Sequence, residues 1–135
     1  MEILEVSSSA GSTEIQRLLE LLAWRGTTDH LEHITAPYAN DARLFAAFTE
    51  GRPIGVIGLK GSEPGFEVIA IAVEERSRGS GIGRLLLDHA SQLRAGATIW
   101  AETDEEGVGF YRSCGFEVES LGERYPGVER FRCTR

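Results

Sequence analysis

A chain of 135 residues with 41% hydrophobic side chains can build one packed domain, residues 1–135. Its net charge of −7 argues against nonspecific nucleic-acid binding and is compatible with attracting a cationic substrate. No apolar run reaches membrane-spanning length and the N-terminus lacks a basic-then-apolar signal, so the expectation is a cytoplasmic protein with no membrane partner.

In chain order, Glu2 to Val6 alternates as a short edge strand. Ser7 to Ser12 is a polar turn ending in helix-capping residues. Ile15, Leu18, Leu19 and Leu22 fall at helical spacing in Thr13–Trp24, and Gly26 stops that helix. A weaker helix spans Asp29 to Tyr38. Arg43–Thr49 and Ile54–Leu59 flank Glu50-Gly51-Arg52-Pro53, a hairpin signal. Glu63-Pro64-Gly65 turns the chain into Phe66–Val73, apolar on both faces as a buried central strand should be. A glycine-rich turn and a helix to about Ala95 follow, ended by Gly96. Ala97–Ala101 is a strand, and Thr103-x-x-Glu106 is a capping box for a helix to Ser113. Phe116–Glu119 and Glu129–Thr134 pair around Tyr125-Pro126-Gly127. The order β-α-α-β-β-β-α-β-α-β-β describes an α+β domain with a mixed, mostly antiparallel sheet.

Arg78-Gly79-Ser80-Gly81-Ile82-Gly83-Arg84 joins the central strand to the helix after it. Three alternating glycines remove the side chains that keep a ligand off the backbone. Free amides and the helix dipole favour an anion there, and Arg78 and Arg84 add positive charge. The loop is not a nucleoside-triphosphate loop, because Gly83 is followed by Arg84 and Leu85 rather than by Lys and Ser or Thr. Nor is it the dinucleotide fingerprint, whose spacing is Gly-x-Gly-x-x-Gly. A phosphate or pyrophosphate seat and a purely structural turn both fit this stretch on its own.

Arg78-x-x-Gly81-x-Gly83 resembles the acyl-CoA pyrophosphate motif of the GNAT superfamily of N-acetyltransferases. Phe110-Tyr111-Arg112-Ser113-Cys114-Gly115-Phe116 is similar to that family's Phe-Tyr-x-x-x-Gly-Phe segment. The two segments cover residues 66 to 119 with their approach and interval. The resemblance implies a GNAT-like fold and an acetyl-CoA-dependent N-acetyltransferase that acts by direct attack in a ternary complex. It implies that Arg78, Gly79, Ser80, Gly81, Ile82, Gly83 and Arg84 hold the pyrophosphate. The backbone of Ile71, Ala72 and Val73 would pair with the pantetheine arm. The rival from another class is a non-catalytic acyl-CoA-binding or sensing module.

Amine acetylation needs a proton removed, since at neutral pH only about one lysine-like amine in a few thousand is unprotonated. Glu67 is the only charged side chain between Gly65 and Val73. A carboxylate at the head of an apolar strand is a stronger base than one in water. An acidic residue at this point of the fourth strand often serves as the base in the family. Glu102, Asp104 and water stay open as rivals. Tyr111 matches the family tyrosine that protonates the departing thiolate, and a phenol can do so without ionising at rest. Phe110 and Phe116 read as core. Cys114 and Cys133 give no disulfide framework and read as buried thiols. His30 and His33 have no further ligands at a recognisable spacing, so no metal is expected. Their helix could line the acceptor site, with Trp24 and Tyr38 nearby, though Tyr38 reads first as core. The acceptor is an amine on a small molecule or a peptide, and the chain is a monomer or homodimer. Lys60 is the only lysine, against thirteen arginines.

Overall fold

The protein is described by a computed structural model over residues 1–22, 35–62 and 65–135. Seven strands are described: β1 (Glu2–Glu5), β2 (Ala42–Thr49), β3 (Arg52–Ser62), β4 (Gly65–Val73), β5 (Ile99–Thr103), β6 (Glu117–Tyr125) and β7 (Val128–Thr134). They form one sheet in the order β1-β2-β3-β4-β5-β7-β6. Only β4 and β5 run parallel. Three α-helices are described, α1 (Thr13–Leu19), α2 (Ile82–Gln92) and α3 (Glu105–Ser113). The α+β class and the mixed, mostly antiparallel sheet are as expected. Among the described residues no helix is long and apolar enough to cross a membrane.

The sheet carries a core on each face. On one, Leu86, Leu87 and Ala90 of α2 and Val108 of α3 pack on Phe66, Val68 and Ile99. On the other, Ile15, Leu18 and Leu19 of α1 and the ring of Tyr38 cover Leu44, Ala46, Val56 and Ala72. Strand β4 contributes to both cores, which explains why its sequence is apolar apart from Glu67. Leu86 and Leu87 are fully buried, each burial stabilising the fold by about 1.5–3 kcal/mol.

Several local expectations shift. The first hairpin turns on Glu50 and Gly51 alone, with φ of 50° and 76°. Two left-handed residues match the twist of paired strands. Pro53 therefore enters β3, opposite Phe48 and beside a register shift, where its missing N–H costs least. Helix α1 is capped by Ser12 and tightens into a 3₁₀ turn at Glu20–Leu22. Helix α2 ends at Gln92, short of Ala95, and Gly96 then turns the chain at φ 73°. The last hairpin is longer than expected and turns at Pro126-Gly127. Trp24, Gly26, Asp29, His30, His33, Glu63 and Pro64 lie outside the described residues. Of the helix expected over Asp29–Tyr38, only a 3₁₀ turn at Ala36–Ala39 is described in full.

The cap of α3 is Asp104, not Thr103. Asp104 Oδ1 accepts from the amides of Glu106 and Gly107, both at 3.1 Å. The helix thus starts one residue later than the Thr103–Glu106 box implied, while the Thr103 side chain lies where a Cβ on Gly107 would go. A carboxylate satisfies two end amides and also meets the positive end of the helix dipole. Asp104→Ala is expected to cost about 1 kcal/mol, within roughly 0.5–2. Urea unfolding with an unchanged slope would report it, and an unchanged midpoint would refute the cap.

Candidate functional site

Strands β4 and β5 pair at Phe66–Ile99 and Glu67–Trp100 and then part. Gly65 makes the closed end possible, because a side chain there would run into the backbone of Thr98. Phe66 N–H then donates to Thr98 O at 2.8 Å. On its other edge β4 stays bonded to β3, but the register slips between Leu59–Val68 and Gly58–Ala70, so Ile69 is extra. A bulge of this kind bends a strand and increases its twist. It falls where β4 turns away from β5.

Beside the freed part of β4 lies a cavity of about 530 Å³. Ile71, Ala72 and Val73 form one side with their strand edge, and the loop residues Ser77, Arg78, Gly79 and Gly81 form its mouth. Ile82, Gly83 and Arg84, the first turn of α2, border it too. The amides of that turn have no partner within the helix, and Leu85 N–H is the first to close, on Gly81 O at 3.0 Å. Gly81 is the N-cap, offers no capping side chain, and sits at φ 86°. Gly79 sits at φ 82°. Nothing lies within 4 Å of where a Cβ would stand on either. The mouth is therefore bare backbone at a helix N-terminus, with two arginines beside it. That arrangement fits a phosphate group and the amide-bearing arm attached to it.

Gly83 has a different reason to be glycine. A Cβ there would come within 2.9 Å of Phe110 Cζ, so the ring of Phe110 occupies that space. Phe110 was expected in the core, yet it is 36% exposed and lines the cavity with Ser113 and Cys114. Leu21 completes the lining from the α1 side. The spacing 110, 113, 114 is one helical face, a signal the sequence held.

The loop is held from within. Glu74 accepts from Arg52 Nη1 at 2.6 Å, Ser77 Oγ at 2.7 Å and Arg76 Nε at 3.3 Å. Arg78 Nε donates back to Val73 O at 3.0 Å, and Ser80 Oγ to Ser77 O at 2.5 Å. Ser80 therefore serves the turn's own shape and does not line the cavity.

Neither residue expected to move protons lines the cavity. Glu67 is half-buried at the closed end. Tyr111 is 6% exposed, its ring edge-on to Phe110 and Phe116, each 5.2 Å away. Burial pushes its phenol well above the ordinary value, helped by the nearby thiols of Cys133 and Cys114. Of the rival bases, Asp104 is taken up in capping α3, and Glu102 is exposed, opposite Arg132 on β7. Tyr38 is buried with its hydroxyl in the space a Gly58 side chain would need. Cys114 and Cys133 are both buried free thiols, and burial pushes the Cys133 thiol up. Among the described residues no three His, Cys, Asp or Glu are grouped to hold a metal ion.

Residues 40–118 match the acetyltransferase (GNAT) domain family. The chain is 34% identical over 104 residues to peptidyl-lysine N-acetyltransferase YjaB of Salmonella typhimurium, covering 71% of this chain and 69% of that one. The same protein of Escherichia coli is 33% identical over 104 residues, covering 71% and 68%. An aminoglycoside 6′-N-acetyltransferase solved with coenzyme A superposes with a TM-score of 0.81 at 18% identity, over 100% of this chain and 96% of that one.

Glu74 makes the loop sensitive to acid. Arg52 first, then Ser77 and Arg76, hold its carboxyl down at about 2, from an ordinary 4.5, against the opposing effect of burial. A depressed carboxyl adds stability that is present above the unfolded value and lost as pH falls from about 4.5 toward about 2. In that window wild type should lose thermal stability more steeply than Glu74→Gln, which lacks the charge. A difference between the two melting curves that stays constant over the window would remove Glu74 as the loop's anchor.

Proposed function

The chain belongs to the GNAT acetyltransferase family and is an N-acetyltransferase; on that premise we propose that it moves an acetyl group from acetyl-CoA to the side-chain amine of a peptide lysine, by direct attack with both substrates bound. The observation that carries this reading is the unpaired edge of β4 meeting bare backbone amides at the start of α2. The Ile71–Val73 backbone takes the amides of the pantetheine arm as a strand takes a neighbour. The amides of Ile82 to Arg84, with the guanidinium groups of Arg78 and Arg84, take the pyrophosphate. The acceptor follows the curated relatives, which are peptidyl-lysine N-acetyltransferases. A net charge of −7 favours approach of a cationic segment.

Glu67 takes the proton from the incoming ammonium, directly or through water. Tyr111 returns a proton to the departing thiolate. Its phenol stays protonated at rest because it is buried. Its oxygen makes no hydrogen bond within the protein.

Mass spectrometry of a lysine-containing peptide incubated with protein and acetyl-CoA tests the reaction. Acetylation should appear on the lysine side chain, and transfer only to polyamines or aminoglycosides would overturn the acceptor. Initial rates with both substrates varied should give intersecting lines. Parallel lines would indicate an acetyl-enzyme, with Cys114 of the cavity wall as the group to suspect.

Glu67→Gln should lower turnover at neutral pH by about 10²–10⁴-fold with little change in CoA affinity by calorimetry. A wild-type pH–rate profile in that variant would hand the role to Glu102 or water. Tyr111→Phe keeps the ring packing and removes only the hydroxyl. It should reduce kcat with unchanged cofactor affinity, the mark of an interaction made in the transition state. Reduced affinity at unchanged kcat would make Tyr111 a binding residue.

A further inference from the structure

Lysine is almost absent from this chain. Thirteen arginines and one lysine supply its positive side chains. A guanidinium does not lose its proton in a protein, so arginine cannot serve as an acetyl acceptor at neutral pH, whereas a lysine amine can. Lys60 is therefore the one side-chain amine able to attack a thioester.

Its position is specific. Lys60 lies on β3 directly opposite Glu67 on β4. Opposed residues of an antiparallel pair stand on the same face with Cβ atoms about 4.5–5.5 Å apart. Glu67 is in turn paired with Trp100, the last contact before β4 and β5 part. The row Ala42–Lys60–Glu67 lies on the α1 side of the sheet, where Ala42 is part of the core under α1 and Leu21 borders the cavity. Lys60 is exposed, and among the described residues neither it nor Glu67 is held by an ion pair or a side-chain hydrogen bond. A flexible four-carbon stem thus carries a free amine beside the carboxylate assigned as base, one strand from the gap.

We infer that Lys60 is a self-acetylation site of this enzyme. The inference rests on the proposed function and on Glu67 as its base. Glu67 accepts a proton from Lys60 Nζ, and the freed lone pair attacks the thioester carbonyl carbon of acetyl-CoA. A C–N bond forms, the C–S bond breaks, and the thiolate leaves as CoA with the proton from Tyr111; the second proton shed by the nitrogen restores the phenol through solvent. No oxidant or further reactant is needed. The product is a neutral amide in place of the cation beside Glu67. An amine on Met1 would lie with β1 at the sheet edge, with β2 and β3 between it and β4, so it and Lys60 have very different access to the site.

The test uses the whole chain with isotope-labelled acetyl-CoA and no acceptor, followed by peptide mapping over time. One acetyl group should accumulate on Lys60, at a rate unchanged by diluting the protein. Lys60→Arg should abolish that label while still acetylating a lysine peptide. Glu67→Gln should slow labelling by about 10²-fold or more while binding CoA normally. Label confined to Met1, equal labelling in Glu67→Gln or in unfolded protein, or a rate that rises with protein concentration would each overturn the inference. A lysine peptide acetylated without label on Lys60 would sink self-acetylation and leave the proposed function standing. Transfer to neither would sink both.

Discussion

The site depends on two neighbouring strands that are bonded at one end and parted at the other. A parallel pair cannot be closed by a tight turn and needs a crossover, usually a helix. Helix α2 is that crossover between β4 and β5, so its N-terminus must lie at the C-terminal end of β4. The parting of the strands begins after Glu67 and Trp100 and leads toward that same end. Bare helix amides and a bare strand edge are thereby brought into one opening by connectivity alone. An unpaired strand edge inside a protein is costly unless something else takes its hydrogen bonds. Here the edge faces a cavity, where solvent or a ligand with amide groups can take them.

What the sequence revealed and what it hid divide along the range of the interaction. The loop Arg78–Arg84 was legible as a bare turn before a helix because glycine spacing ahead of a helical pattern is a local signal, and the segment Phe110–Phe116 was legible through its resemblance to a family motif. The bulge at Ile69 was not legible, because it is a mismatch of register between β3 and β4 and no residue of β4 announces it. Nor was the change of cap from Thr103 to Asp104, since both residue types cap helices and only the entry angle from β5 decides. Gly83 was grouped with Gly79 and Gly81 by spacing, but the reason for it stands on another helix, at Phe110.

The two ends of β4 differ in charge as the proposed reaction requires. Arg78 and Arg84 border the cavity mouth beyond its C-terminal end, while Glu67 stands near its start, paired with Trp100 and outside the cavity lining. From Glu67 to Ile71 β4 advances four residues, roughly 13 Å at about 3.3 Å each. In the proposed reaction an extended arm of that order would separate the phosphates at the loop from the amine that loses its proton. If the phosphate seat and the base were adjacent, the arginines would favour the deprotonated carboxylate too strongly for it to accept a proton. Distance along one strand keeps the functions apart without a dividing wall.

Helix α3 connects these ends through two consecutive residues. Neighbours on an α-helix point about 100° apart, since 3.6 residues make a turn. Phe110 therefore faces the cavity and fills the space left by Gly83, while Tyr111 turns under it into the core. Tyr111 is held by rings on either side, Phe110 and Phe116, and not by a hydrogen bond to its hydroxyl. A phenol fixed by packing keeps its oxygen free to meet a developing thiolate, whereas one fixed through its oxygen would have to break that bond first. The small residue on α2 and the aromatic pair on α3 thus form a single device. Gly83 admits Phe110, Phe110 packs edge-on against the ring of Tyr111, and burial keeps that phenol protonated, the state that its proposed role as acid needs.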